Sequence, residues 1–415
     1  MVCLTASLVI VAQSIVSIFN GILRTFITLP FKLETLFIYG IFLLIVLLSL
    51  KTILARSNLY IYAIFAFFIF EYLISFMING YFFEYYIELG IDILFLTLPF
   101  LLVTYVVRDY NLFKKYLYFS ALLILLSTSL NIFVFKTNVF GGFSYDQSYT
   151  YSLLTVAIIL CNDLFNKIKF LNIILFSVSV LLMFSIGARG PLVCLVLYIV
   201  LKIVITIKFS LRKLFLVNGV IMLLLIPCYI FIQDILHNLY SLFNKMNLST
   251  RTISRLIENN FFEDSIRIKL LTDSFHLIKE YPIFGVGLGN DRILIAAKMG
   301  SDNLVSATIG WYPHNIFMEL LLHFGIFIGV GFIIFMIRLI YITTVKNSNK
   351  DAVDVILIFI GIGLLPLFFS GSYITTPLFF ALLGFCLYQY KNIKTVKTKQ
   401  KNYDKTGMKM VLLHQ

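Results

Sequence analysis

Residues 313–340 read PHNIFMELLLHFGIFIGVGFIIFMIRLI, from Pro313 to Ile340, and apart from His314, Glu319, His323 and Arg338 the run carries no ionisable side chain. About 20 apolar residues rising ~1.5 Å each cross the ~30 Å hydrocarbon core of a bilayer, so this run reads as a spanning helix. Its apolar positions are continuous, not alternating, which argues against a β-barrel strand.

The same reading, carried outward, gives twelve candidate spans near residues 3–20, 36–50, 59–79, 87–107, 116–135, 147–162, 170–187, 190–207, 214–233, 313–340, 352–370 and 375–390. Composition agrees. Of 415 residues 60% are hydrophobic and 13% charged, against roughly 25% charged in a soluble domain, and the mean hydropathy is +0.97. The expected fold is an all-α polytopic membrane protein of about twelve transmembrane helices. It divides into helices one to nine (residues 1–233), a long hydrophilic loop (234–312), helices ten to twelve (313–390) and a basic tail (391–415).

The formal charge of +13 does not point to nucleic acid, because lysines and arginines sit between apolar segments and in the tail. One set of alternate short loops holds Lys51 and Arg56; Arg108, Lys114 and Lys115; Lys167 and Lys169; Lys208, Arg212 and Lys213; Lys346 and Lys350; and the tail from Lys391 to Lys409. The opposite set holds only Arg24, Lys32, Lys136 and Arg189, and one of its loops carries Glu84 and Glu88. Positive loops stay inside, so both termini are expected in the cytoplasm and loop 234–312 outside. No basic residue precedes Arg24, and the first apolar run is expected to be retained as a span. Cys3, Cys161, Cys194, Cys228 and Cys386 fall singly in or beside apolar segments, without the paired spacing of metal or redox sites. No internal repeat suggests a transporter's inverted symmetry. The outer loop 136–150, with Gly141, Gly142, Tyr145, Asp146 and Tyr149, could stack on sugars, although interfacial tyrosine belts are common in membrane proteins.

Three ionisable residues stand out on the outer face. Arg189, in Ser185-Ile186-Gly187-Ala188-Arg189-Gly190-Pro191, sits at the turn between spans seven and eight. A guanidinium there can grip a phosphate bidentately or touch lipid headgroups. Arg267 lies in a segment from Asp264 to Pro282 whose apolar residues, among them Ile266, Leu270, Phe275, Leu277 and Ile278, share one arc of a helical wheel. This predicts an amphipathic helix on the outer surface, with Arg267 near the middle of the apolar arc. A cation there needs an anion such as a lipid-linked pyrophosphate; the alternatives are snorkelling to a headgroup or pairing with a structural carboxylate.

His314 opens span ten. Pro313 is expected to start the helix, placing His314 and Asn315 in its first turn, where a neutral imidazole could accept a proton from a sugar hydroxyl. Glu319 and His323 follow on one helix face at i and i+4 and could relay protons, or simply make a polar contact inside the bundle. Between these segments, Tyr281-Pro282-Ile283-Phe284-Gly285-Val286-Gly287-Leu288-Gly289-Asn290 looks like a phosphate loop. It lacks the preceding strand of a dinucleotide fingerprint, and a tight re-entrant turn is expected instead.

Together, Gly187-Ala188-Arg189-Gly190, the Arg267 helix ending in Tyr281-Pro282-Ile283-Phe284-Gly285-Val286-Gly287-Leu288-Gly289-Asn290, and Pro313-His314-Asn315 followed by Met318-Glu319 and Phe324-Gly325-Ile326 resemble the signature of the O-antigen polymerase/ligase superfamily over about residues 180–335. The resemblance implies a GT-C-like glycosyltransferase of the bacterial inner membrane. Its donor and acceptor would be undecaprenyl-pyrophosphate-linked oligosaccharides, its site would face the periplasm, and a chain-length regulator is a further partner to look for. It implies Arg189 and Arg267 as pyrophosphate-binding residues and His314 as catalytic base; Asn315 and Glu319, following His314 on the same helix, are read from their position as candidate supporting residues. No metal or other cofactor is implied, and no histidine–carboxylate cluster shows ligand spacing along the chain. Polymerase is preferred over ligase, which would use lipid A core as acceptor. A lipid-linked-oligosaccharide flippase is the alternative of another class, and would place charges through the depth of a cavity, not at its outer edge.

Overall fold

The computed structural model describes residues 33–130, 147–186, 189–206, 265–300 and 311–406, with short pieces near 3–7 and 234–257. Its principal described helices are α1 (Leu33–Arg56), α2 (Leu59–Ile78), α3 (Phe83–Tyr105), α4 (Tyr110–Leu130), α5 (Gln147–Asn166), α6 (Phe170–Ile186), α7 (Arg189–Thr206), α8 (Ser265–Glu280), α9 (Asn290–Lys298), α10 (Ile316–Val345), α11 (Lys350–Phe368) and α12 (Pro377–Thr406). No strand occurs among the described residues. Of these helices α2, α3, α7, α10 and α11 are long and apolar enough to cross a membrane, and α6 is a shorter apolar helix. The expected ninth span, and nearly all of the first, lie outside the described residues, as does the glycine-rich part of loop 136–150. Tyr149 belongs instead to the first turn of α5. The last expected span does not stop at residue 390: α12 runs on through the basic tail to Thr406.

Local chemistry explains where the helices begin and bend. Asn58, Asn315 and Asn349 cap α2, α10 and α11, their side chains accepting hydrogen bonds from backbone N–H groups of the first turn. Inside α3 a wide π turn over Asp92–Thr97 precedes Pro99, and inside α11 a π turn over Ile360–Leu364 precedes Pro366. Proline removes one N–H and clashes with the carbonyl four residues back, so the preceding turn loosens.

The core is aromatic. Phe68 meets Phe324, Phe332 and Phe380 edge-on at 5.2–6.4 Å between ring centroids, and Phe385 packs on Phe113, Phe359 and Tyr110. Such pairs add ~0.5–1.5 kcal/mol each beyond area burial. Outside, Leu47, Leu54, Phe70, Met77, Phe119, Leu126, Phe170 and Phe327 are exposed. An apolar surface of that extent would be a liability in water and is the natural coat of an integral membrane protein. Cys3, Cys161, Cys194 and Cys386 are buried and unpaired, as structural cysteines are; Cys228 lies outside the described residues.

At the end of the bundle where the lysine-rich loops lie, a polar knot ties α4, α5, α7 and α11. Lys202 contacts Asp354 at 2.5 Å and Asn162 at 2.7 Å. Lys114 contacts Asp351 at 2.5 Å and Asp354 at 3.1 Å, and Asn166 donates to Asp354 at 2.9 Å. Every charge in the knot has an opposite partner.

Candidate functional site

The site is built on a break in α10. Gly325 sits at φ 71°, ψ 178° within the helix, and a Cβ there would stand 2.2 Å from the carbonyl oxygen of Ile283. Only glycine fits that backbone and that approach. The break frees the carbonyls of Leu322 and His323 and the N–H of Ile326 from the helical ladder. The segment Tyr281–Gly289 takes them up as a strap: Val286 N–H donates to Leu322 O (2.6 Å), Gly287 N–H to His323 O (3.2 Å), and Ile326 N–H to Pro282 O (2.8 Å). The glycine spacing that looked like a phosphate loop is thus spent on close backbone packing. Gly285 has φ 70°, and a Cβ on it would meet Leu322 O at 2.4 Å.

The strap delivers α9 to the broken helix. Tyr85 hydroxyl donates to Gly289 O at 2.9 Å, just ahead of the helix start. Asp291, in the first turn of α9, then lies 2.9 Å from Nε2 of His323, with both side chains fully buried. His323 Nδ1 meets the Tyr373 hydroxyl at 2.7 Å. Glu319 accepts from the Ser372 hydroxyl and from the Tyr373 N–H at 3.1 Å. Asp291 has the His323 ring at one carboxylate oxygen and no hydrogen bond at the other among the described residues, an arrangement that costs free energy unless cations stand near.

One such cation is Arg292, 5% exposed. Burial works against its charge, but the Tyr85 phenol and the Asp291 and Glu319 carboxylates outweigh it and hold the guanidinium above its ordinary range. Asp291, Glu319 and His323 bring one ligand atom each within 4.8 Å of one another and are the described residues that could hold a metal ion. An ion entering there would meet the positive charge of Arg292. Chain spacing gave no sign of this cluster, because Asp291 comes from a different helix.

Arg292 leads to the predicted base. Its guanidinium carbon lies 5.1 Å from the centre of the Tyr312 ring, and the other neighbour of that ring is the imidazole of His314, centroid to centroid 4.1 Å at 54°. Tyr312 is pinned at its far end, where its hydroxyl accepts from Gly371 N–H at 3.1 Å. His314 is not in the first helical turn. It precedes the cap Asn315 and holds φ 51°, the only positive φ at a non-glycine residue among those described. Left-handed backbone is costly for such a residue and persists where the surroundings enforce it.

Arg267 lies close enough to Tyr312 for its charge to lower the phenol pKa, although burial, the larger effect, raises it. On α8 the expected apolar arc divides in two. Leu270, Ser274, Leu277 and Ile278 are buried, packing with Ile295 and Leu322, whereas Ile266, Ile268, Leu271 and Phe275 are exposed. Arg267 stands three residues before Leu270, at the head of the buried stripe. Arg189 opens α7. A Cβ on its neighbour Gly190 would lie 3.7 Å from Phe369, two residues before the Gly371 that binds Tyr312. His314 thus packs on Tyr312 and the charge of Arg267 reaches it, while Arg189 is located only through Gly190, beside Phe369. Asn315 is a helix cap, and Glu319 is enclosed with Ser372 and Tyr373 behind the site.

Residues 171–336 match a protein-family model described as O-antigen ligase. The matched region contains Arg189, Arg267 and His314, together with the strap, Asp291, Arg292 and the broken part of α10, and it is consistent with the O-antigen polymerase/ligase superfamily. A comparison with curated proteins finds no match.

Proposed function

We propose that this membrane protein is a GT-C-like polysaccharide polymerase, transferring an undecaprenyl-pyrophosphate-linked glycan onto the next lipid-linked repeat unit. In this reading Arg189 and Arg267 hold the pyrophosphate. The acceptor hydroxyl oxygen attacks the anomeric carbon while the bond from that carbon to the pyrophosphate oxygen breaks. His314 takes the hydroxyl proton as the new glycosidic bond forms. The departing lipid pyrophosphate carries the electron pair and is stabilised by the arginines, without a metal in the chemistry. Displacement in one step inverts the anomeric centre. The twelve-span topology, the cytoplasmic termini and a site facing the periplasm of the inner membrane belong to the same proposal.

The observation that carries it is the packing of the His314 imidazole on Tyr312, 4.1 Å between ring centroids, inside the region that matches the O-antigen ligase family. The name of that family favours a second reading, transfer to lipid A core. Deleting the gene and examining the lipopolysaccharide by gel separates the two. Single-repeat chains mean a polymerase, bare core means a ligase, and an unchanged ladder overturns both. Restoring the gene with Arg189→Ala, Arg267→Ala or His314→Ala should leave the defect in place although the protein reaches the membrane. Full function of His314→Ala removes it as the base.

A further inference from the structure

We infer that Arg292 and Tyr312 are the positioning residues of His314. This inference rests on the reading of His314 as base, and neither residue was marked by the sequence.

A base is useful only if its ring is held where the proton leaves, and a misplacement of ~1 Å is expensive. His314 is set outside the regular helix. It lies before the helix cap, outside the α10 ladder, in a backbone conformation that its own side chain disfavours. Tyr312 packs against its ring, at 4.1 Å between centroids. Tyr312 is itself held at both ends, by the Gly371 N–H on its hydroxyl and by the Arg292 guanidinium on its ring at 5.1 Å. A desolvated cation on an aromatic face is a strong form of that contact. Arg292 is in turn fixed by burial beside Asp291 and Glu319, on a helix that the strap anchors to the break at Gly325. The chain of support therefore runs from the glycine strap through α9, Arg292 and Tyr312 to the imidazole.

The test reads His314 directly. Full-length protein in detergent is treated with diethylpyrocarbonate across pH 5–9, and modification of His314 is followed by mass spectrometry of its peptide. Tyr312→Leu should speed that modification several-fold, because one face of the imidazole is uncovered, and should lower kcat at least ~10-fold with little change in KM. Arg292→Gln should speed the same modification and lower kcat in the same way, and Arg292→Lys should restore most of the wild-type behaviour. Tyr312→Leu leaves no buried carboxylate without its cation, so it keeps the inference testable where Arg292→Gln does not fold. Reactivity profiles of His314 that superimpose in wild type and Tyr312→Leu overturn the inference. That outcome is distinct from an active His314→Ala, which overturns the base and leaves the contact intact.

Discussion

Two polar clusters occupy the two ends of α11 and solve the same problem differently. At one end Asp354, 2% exposed, receives Lys202, Lys114 and Asn166. At the other, beyond the loop holding Ser372 and Tyr373, Asp291 is fully buried with His323 Nε2 at one oxygen and no hydrogen bond on the other among the described residues. From Asp354 to the end of the helix at Phe368 the helical rise covers about 21 Å, most of the thickness of a bilayer core. The first cluster is complete in itself and holds four helices together. The second leaves polar atoms unsatisfied, strains a histidine backbone and breaks a helix. Buried polar groups that are fully paired do structural work, whereas those left short of partners gather where function requires a particular geometry.

The largest test of that contrast is Asp354→Ala. It strands Lys202 and takes away one of the two carboxylates on Lys114, and removing one partner of a buried pair costs about 3–5 kcal/mol. Unfolding in detergent should show that loss. Replacing both partners, Asp354→Leu with Lys202→Met, should recover most of it, since a well-packed apolar pair is often neutral relative to a buried ion pair. If Asp354→Ala unfolds like the wild type, the knot does not hold the bundle and the contrast fails.

Gly325→Ala comes next, on the other side of the comparison. A non-glycine residue at φ 71° costs ~1–3 kcal/mol, and the added carbon has backbone, not a mobile side chain, at 2.2 Å. The strap must move, and with it α9, Asp291 and Arg292. We expect a stability loss of about 2–3 kcal/mol, smaller than that of Asp354→Ala, yet loss of polymer and faster proteolysis between residues 281 and 289. Wild-type polymer from this variant would separate the break from the site.

How much of this the sequence disclosed follows from the range of each interaction. Apolar runs are local, and nearly every described helix falls on a run read as a span, Pro99 and Pro366 altering only the turns before them. The pattern around α8 correctly gave a helix but merged two faces. A wheel cannot distinguish Leu270 and Leu277, buried on α9 and α10, from Ile268 and Phe275, which face outward. Arg189, Arg267 and His314 were visible because a lone cation or histidine near an outer rim stands out. Asp291 and Arg292 were not, since they gain their meaning from the strap, which joins residues about forty positions apart through backbone hydrogen bonds that side-chain patterns do not encode. The glycine spacing at Gly285, Gly287 and Gly289 was the available signal. It was read as a tight turn, but its partner Gly325 could be recognised only once the helix was seen to break.

The smallest test concerns Asn315, which its place beside His314 in the sequence grouped with the site. Its side-chain oxygen accepts from Phe317 N–H at 3.0 Å and Met318 N–H at 3.3 Å, so it belongs with the satisfied kind of polar group although it adjoins His314. Losing such a cap costs about 1 kcal/mol, and serine or aspartate replaces asparagine there with little penalty. Asn315→Ala should therefore lower stability by about 1 kcal/mol and reduce polymer length through slackening of the His314 turn, whereas Asn315→Ser and Asn315→Asp should restore both. A carboxylate at that position would oppose a pyrophosphate, so recovery by aspartate separates a capping role from a hand on the substrate. If serine and aspartate restore stability but not polymer, the Asn315 amide works on the substrate side, and the line between the two clusters has to be drawn one residue further into α10.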